Sequence, residues 1–173
     1  MKEKGLFLVS CLSDKKHIEN GLPNEILSSL TILFGSIYNI TKPSFSTLMP
    51  EAYRNESGSD LGSTIAIFKM KKDISYLCQA KSLLVETERR FSFDNFRRYN
   101  LNPGIFHKGF LFMASHKNGP RRAQLCKDVW IEPQLRITNN TVYPLPWSFE
   151  EFLCVHVIKD IDRAINDNSA HWE

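Results

Sequence analysis

The sequence predicts an α+β fold: a mostly antiparallel sheet with a ferredoxin-like β-α-β-β-α-β first half, extra C-terminal strands and a C-terminal helix. Three observations predict it. Short runs rich in Ile, Leu, Val and Phe recur along the chain, and two amphipathic stretches interrupt the first four of them. From residue 105 onward, strand-like runs follow one another with only turn residues between them. Ser148 and Glu151 then stand at the spacing of a capping box, ahead of a third amphipathic stretch. With 173 residues and 42% hydrophobic content, residues 1–173 suit a single globular domain with a real core.

"GLFLVSCL" (5–12) reads as a buried first strand, because its apolar stretch is too short for a signal peptide. Ser13 and Asp14 open a helical region that "NGLP" interrupts. Pro23 suits a first helical turn, so the main helix is placed at 23–34. Ile26, Leu27, Leu30 and Leu33 form its stripe and Gly35 stops it. Residues 36–45 read as a second strand, 46–60 as a polar loop and 63–71 as a third strand. A second helix starts at Asp73 or Ser75 and runs to Arg90. Asn102-Pro103-Gly104 reads as a tight turn, followed by a fourth strand, "IFHKGFLFMAS". "RAQLC" and "VWIEPQLRI" read as paired strands, "YPLPW" as an extended connector, and 149–166 as the last helix.

No apolar run reaches the roughly 20 residues of a membrane helix, which points away from a membrane partner and towards the cytoplasm. The four scattered cysteines, Cys11, Cys78, Cys126 and Cys154, read as buried free thiols, with no zinc-ligand spacing. Net charge is only +3, but residues 69–127 hold 13 Lys and Arg against 4 Asp and Glu. Such a basic centre either meets an anionic partner or mixes with the acidic ends on one surface.

Phosphate-cradling, hydrolase-elbow and metalloprotease motifs are absent, as is the paired-aromatic signature of RNA-recognition domains. Nucleic acid therefore stays a possible partner without a supporting motif, and no cofactor is indicated. Two patterns stand out instead. Ile74, Leu77, Cys78, Lys81, Val85 and Glu88 fall on one helical stripe, so two charges share an apolar face and must snorkel, pair or line a cavity. Glu88 finds a natural partner in Arg98, with Arg97 as its solvated neighbour. In the penultimate strand Val129, Ile131 and Leu135 alternate with Trp130, Glu132, Gln134 and Arg136, which form either a solvated face or a polar pocket wall.

Several stretches together resemble the bacterial and archaeal domain-of-unknown-function family numbered 4416. "RRYNLNPGIF" is similar to its K-R-x-V-N-L-D-P-G-Y-L, and "YRNESGSDL" to its Y-x-x-E-M-G-x-x-L. "KSLLVETE" is similar to K-x-x-T-N-x-x-E, and "RRAQL…DVWIE" to H-R-I-Y-L…G-I-Y-A-E. "YPLPWSFEEF" is similar to L-P-W-T-Y-P-D-Y. The chain departs from these patterns at Val85, Asn102, Arg121 and residues 148–153. The resemblance carries no established biochemistry, and a GTP-binding label borne by some members finds no phosphate loop here. It does select Glu56, Lys81, Glu88, Arg98, Asn100, Arg122, Glu132 and Trp147 as candidate ligand-binding residues.

The leading expectation is a binding domain for a small anionic molecule, held by arginines that glutamates orient, with Trp147 as a stacking wall. A structural or partner-binding protein, a carboxylate-dependent enzyme and an RNA-binding domain are the alternatives.

Overall fold

In the computed structural model, residues 4–45, 60–94, 96–139 and 141–168 are described. The elements run β1 (Gly5–Asp14), α1 (Lys15–Ile18), α2 (Asn24–Phe34), β2 (Ile37–Ile40), β3 (Ser44–Phe45) and β4 (Leu61–Lys72). They continue with α3 (Tyr76–Arg90), β5 (Tyr99–His107), β6 (Phe110–Ser115), β7 (Ala123–Cys126), β8 (Val129–Thr138) and β9 (Thr141–Pro144). A 3-10 turn (Glu150–Leu153) and α4 (Val155–Asn168) complete the order.

Among the described residues one antiparallel sheet holds all nine strands, in the order β2-β4-β1-β5-β6-β8-β7, with β3 on β4 and β9 on β8. Strands β2, β4, β1 and β5, with α2 and α3 as crossovers, reproduce the ferredoxin-like order expected of the first half. Both faces of the sheet are covered, which is why β1 reads as an unbroken apolar run. Phe7, Val9 and Cys11 join Ile26, Leu30 and Phe34 of α2 and Leu77, Ala80 and Leu84 of α3 in one core. Leu6 and Leu8 face the other way, against Phe152, Val157, Ile161 and Ile165.

Five expectations need correction. Asn102-Pro103-Gly104 is not a turn; it lies inside β5. The turn falls at Lys108-Gly109, whose φ values of +47° and +77° suit a two-residue hairpin of type I′. Residues 36–45 divide into β2 and β3 around Pro43 rather than forming one strand. Ser148 caps no helix; its hydroxyl accepts from the Leu145 N–H and donates to the Gln134 carbonyl. In β8, a register shift against Leu111/Phe112 leaves Gln134 as an extra residue, and so Leu135 packs on the opposite face from Val129 and Ile131. Last, Cys78 and Cys126 form a disulfide between α3 and β7, with Cα atoms 6.5 Å apart. Cys11 and Cys154 are free. A separation of 48 residues hid this pairing from any local spacing rule.

Candidate functional site

The site begins with a break in the sheet. β5 pairs with β1 along Tyr99–Ile105, but with β6 only from Gly104/Met113 to His107/Phe110. Beyond Gly104 the two strands separate. In an antiparallel strand the N–H and C=O of one residue point to the same side, and those of the next residue point to the other. The Leu101 N–H donates to Glu88 Oε1 at 2.6 Å, and Lys81 Nζ donates to the Leu101 carbonyl at 2.8 Å. Both groups that a continued ladder would use are therefore bonded to α3 instead. Pro103, two residues on, faces the same open edge and has no N–H to leave unpaired. Gly104 sits at the fork. A Cβ there would stand 2.4 Å from Met113 Sδ, so glycine lets Met113 lie across the strands.

A half-open cavity of about 650 Å³ occupies this fork. Of the residues selected from sequence, Lys81, Glu88, Asn100, Arg122 and Glu132 line it. Lys81 and Glu88 come from α3, 3% and 5% exposed. Lys81 does not snorkel: besides Leu101, its ammonium bonds Asn102 Oδ1 at 2.9 Å and stands 3.8 Å from Glu88 Oε1. Burial pulls the Lys81 pKa down to about 8; Glu88 opposes this and the nearby Arg97 adds to it. Asn100 accepts from the Asn102 side-chain amide at 3.2 Å.

Across the cavity, Glu132 is 5% exposed and Gln134 fully buried, so β8 is no solvated face at these two positions, while Arg136 of the same row is exposed. Glu132 meets two guanidinium groups, Arg121 Nε at 3.2 Å and Arg122 Nε at 3.1 Å. Arg122 also donates to Ser115 Oγ at 3.1 Å and to the Lys117 carbonyl. Arg121 lies over the Trp147 ring, 5.7 Å from its centre. Trp147 itself is outside the lining; its indole N–H donates to the Pro133 carbonyl at 2.9 Å, which fixes it beside Glu132's partner arginine.

Arg97 and Arg98 exchange the roles read from sequence. Arg97 stands 3.6 Å from Glu88 Oε2 and lines the cavity. The Arg98 side chain lies with Tyr99 and acts electrostatically on His17, while its carbonyl accepts from Ser13. Residues 97 and 98 precede the start of β5, so strand alternation does not fix their directions. Glu56 lies outside the described residues, as does Tyr53.

The sequence reading missed Asn102, Ser10, Ser115 and Glu151, all of which line the cavity. Glu151 closes no capping box; its carboxylate is buried and accepts from Ser10 Oγ at 3.0 Å. Burial pushes its pKa up, more strongly than the bond to Ser10 holds it down. The departures noted above gather here too: Val85, Asn102 and residues 148–151 line the cavity, and Arg121 meets it through Glu132.

The fold and site define an α+β protein with a charged cavity set in a forked antiparallel sheet. The chain belongs to the DUF4416 family, a domain of unknown function, whose model matches residues 3–165. No curated protein matches it. Nor does any solved structure. In the structure no helix is long and apolar enough to cross a membrane among the described residues. Among those residues, no three His, Cys, Asp or Glu side chains group to hold a metal ion.

Proposed function

We propose that the forked-sheet cavity binds a small organic anion, with Arg122 as its principal contact. One observation carries this reading: the buried Glu132 carboxylate faces two guanidinium groups, so the pair keeps one formal positive charge at the cavity wall. A planar guanidinium held by Glu132 and Ser115 is preorganised for carboxylate or phosphate. On the other side of the cavity, burial favours the neutral form of Glu151, which reduces the repulsion an incoming anion meets. The volume suits a metabolite-sized ligand.

Thermal-shift measurements with inorganic phosphate, di- and tricarboxylates, sugar phosphates and nucleotides test the proposal. One class of anion is expected to raise Tm with the logarithm of its concentration, reaching about 2.7 kcal/mol of stabilisation at a hundred times its Kd. Arg122→Gln is expected to remove that shift. Failure of every anion to stabilise the protein would leave the arginines as fold-holding partners of Glu132.

A carboxylate-dependent enzyme is the second reading, favoured by Glu88, Glu132 and Glu151 sharing one cavity in three different environments. Activity loss in Glu132→Gln with anion binding kept would select it.

A further inference from the structure

Lys81 and Glu151 come from elements packed on opposite faces of the sheet, and two neighbouring strand residues link them. Ser10 of β1 and Asn102 of β5 are direct cross-strand partners. Such a pair shares one face, with Cβ atoms about 5 Å apart. Asn102 holds the Lys81 amine at 2.9 Å, and Ser10 holds the Glu151 carboxyl at 3.0 Å. An amine and a carboxyl thus flank one polar pair inside the same cavity.

The bonds at Lys81 match a neutral amine as well as an ammonium. A neutral amine has two N–H donors and one lone pair, and Lys81 makes two short bonds, to the Leu101 carbonyl and to Asn102. Glu88 Oε1, at 3.8 Å, is beyond hydrogen-bond distance. Glu88 also has Arg97 at 3.6 Å and the Leu101 N–H at 2.6 Å, so its charge keeps partners when Lys81 loses its proton. Burial lowers the Lys81 pKa to about 8 and raises that of Glu151. A nucleophilic amine sharing a cavity with a carboxyl that burial biases towards its proton-bearing form is the pairing that imine formation needs.

We propose that Lys81 is a covalent attachment point for a small aldehyde or ketone that carries an anionic group, with Glu151 as the proton donor. The inference rests on the anion-binding reading, which seats the anionic group at Arg122. The Lys81 nitrogen lone pair forms a bond to the carbonyl carbon. The carbonyl π pair moves onto oxygen, which takes the proton that the nitrogen gives up. The resulting hydroxyl takes a second proton from Glu151 and leaves as water while the nitrogen lone pair closes the C=N bond. A protonated imine, a Glu151 carboxylate and one water result. Glu88 is placed to balance the imine charge, with Glu150 beside Glu151 and the arginine-paired Glu132 as the cavity's other acids. Arg97 raises the charge cost of the protonated amine and so favours reaction from the neutral form.

The full chain is incubated with glyoxylate and cyanoborohydride at pH 8, and carboxymethyl-lysine is located by peptide mass mapping. Lys81 is expected to be labelled first and to one equivalent. Glu151→Gln is expected to slow labelling at Lys81 while the surface lysines label as before. A cooperatively melting protein labelled only on surface lysines would overturn the proposal. Thermal shift with inorganic phosphate runs in parallel. A phosphate shift without Lys81 labelling removes the covalent step and keeps the anion site; neither signal removes both.

Discussion

Glu88 and Glu132 are both buried carboxylates facing two cations across one cavity, yet they do different work. Glu88 sits with Lys81 in a nearly dry pair and also accepts the Leu101 N–H, so it completes the backbone bonding of a strand edge. Glu132 meets Arg121, whose side chain is 51% exposed, and among the described residues its bonds go to the two arginine side chains. The first cluster bonds the open edge of β5 at the fork; the second, in the function we propose, offers charge to an anion that enters it. The difference teaches that burial of a carboxylate says little by itself. What decides its role is whether its partners have water as an alternative.

The largest test of this contrast is Glu88→Ala. It strands a buried ammonium and leaves the Leu101 N–H unpaired, and about 4 kcal/mol of stability is expected to go, measured by urea denaturation. Glu132→Gln should cost about half as much, since Arg121 can turn to solvent. Equal losses would erase the distinction between the clusters.

Next comes the link between their supporting elements. The Cys78–Cys126 disulfide ties α3, which carries Lys81 and Glu88, to β7, which follows Arg122. Reduction is expected to cost about 4 kcal/mol by freeing the unfolded chain. Denaturation with and without reductant, alongside Cys126→Ser, measures it. An unchanged midpoint would mean that the packing of Leu77, Ala80 and Leu84 suffices.

The pH dependence separates the sides of the cavity by sign. The folded Lys81 pKa, about 8, lies below its ordinary 10.5, so between those values the unfolded chain binds more protons. Stability contributed by this group therefore rises with pH across that window, by about 3 kcal/mol in all. Glu151 has the opposite sign: its pKa is raised, so stability falls as pH climbs above 4.5 through its folded value. Subtracting the Lys81→Met and Glu151→Gln curves from the parent isolates each slope. A missing rise in the Lys81 difference curve would remove the buried-amine account. The smallest effect is expected from Arg121→Ala, under about 1 kcal/mol by thermal melting, because its charge is already half in water.

How much of this was legible in the sequence follows from which forces act locally. Helical spacing placed Lys81 and Glu88 on the buried stripe of α3, and strand alternation singled out Glu132 and Gln134. The ferredoxin-like order was readable because β1 and β4 are apolar on both faces. The fork itself was not. Asn102-Pro103-Gly104 has the composition of a turn, and only the tertiary arrangement shows a proline used where β5 has no partner on its β6 side. Glu151 was hidden for a related reason: S-x-x-E fits a helix cap, whereas Ser148 in fact bonds Gln134 fourteen residues earlier. The disulfide joins elements that meet only after folding. Arg97 and Arg98 lie before the strand begins, where no periodicity assigns a face.

The most direct measurement of the central claim is a nitrogen–proton NMR titration of the full chain with inorganic phosphate at low ionic strength. The expected shifts map to Asn100, Asn102, Ser115, His116, Lys117 and Arg122, saturate, and vanish in Arg122→Gln. Shifts confined to the basic surface around Lys69, Lys71 and Lys72, with the fork unmoved, would contradict it.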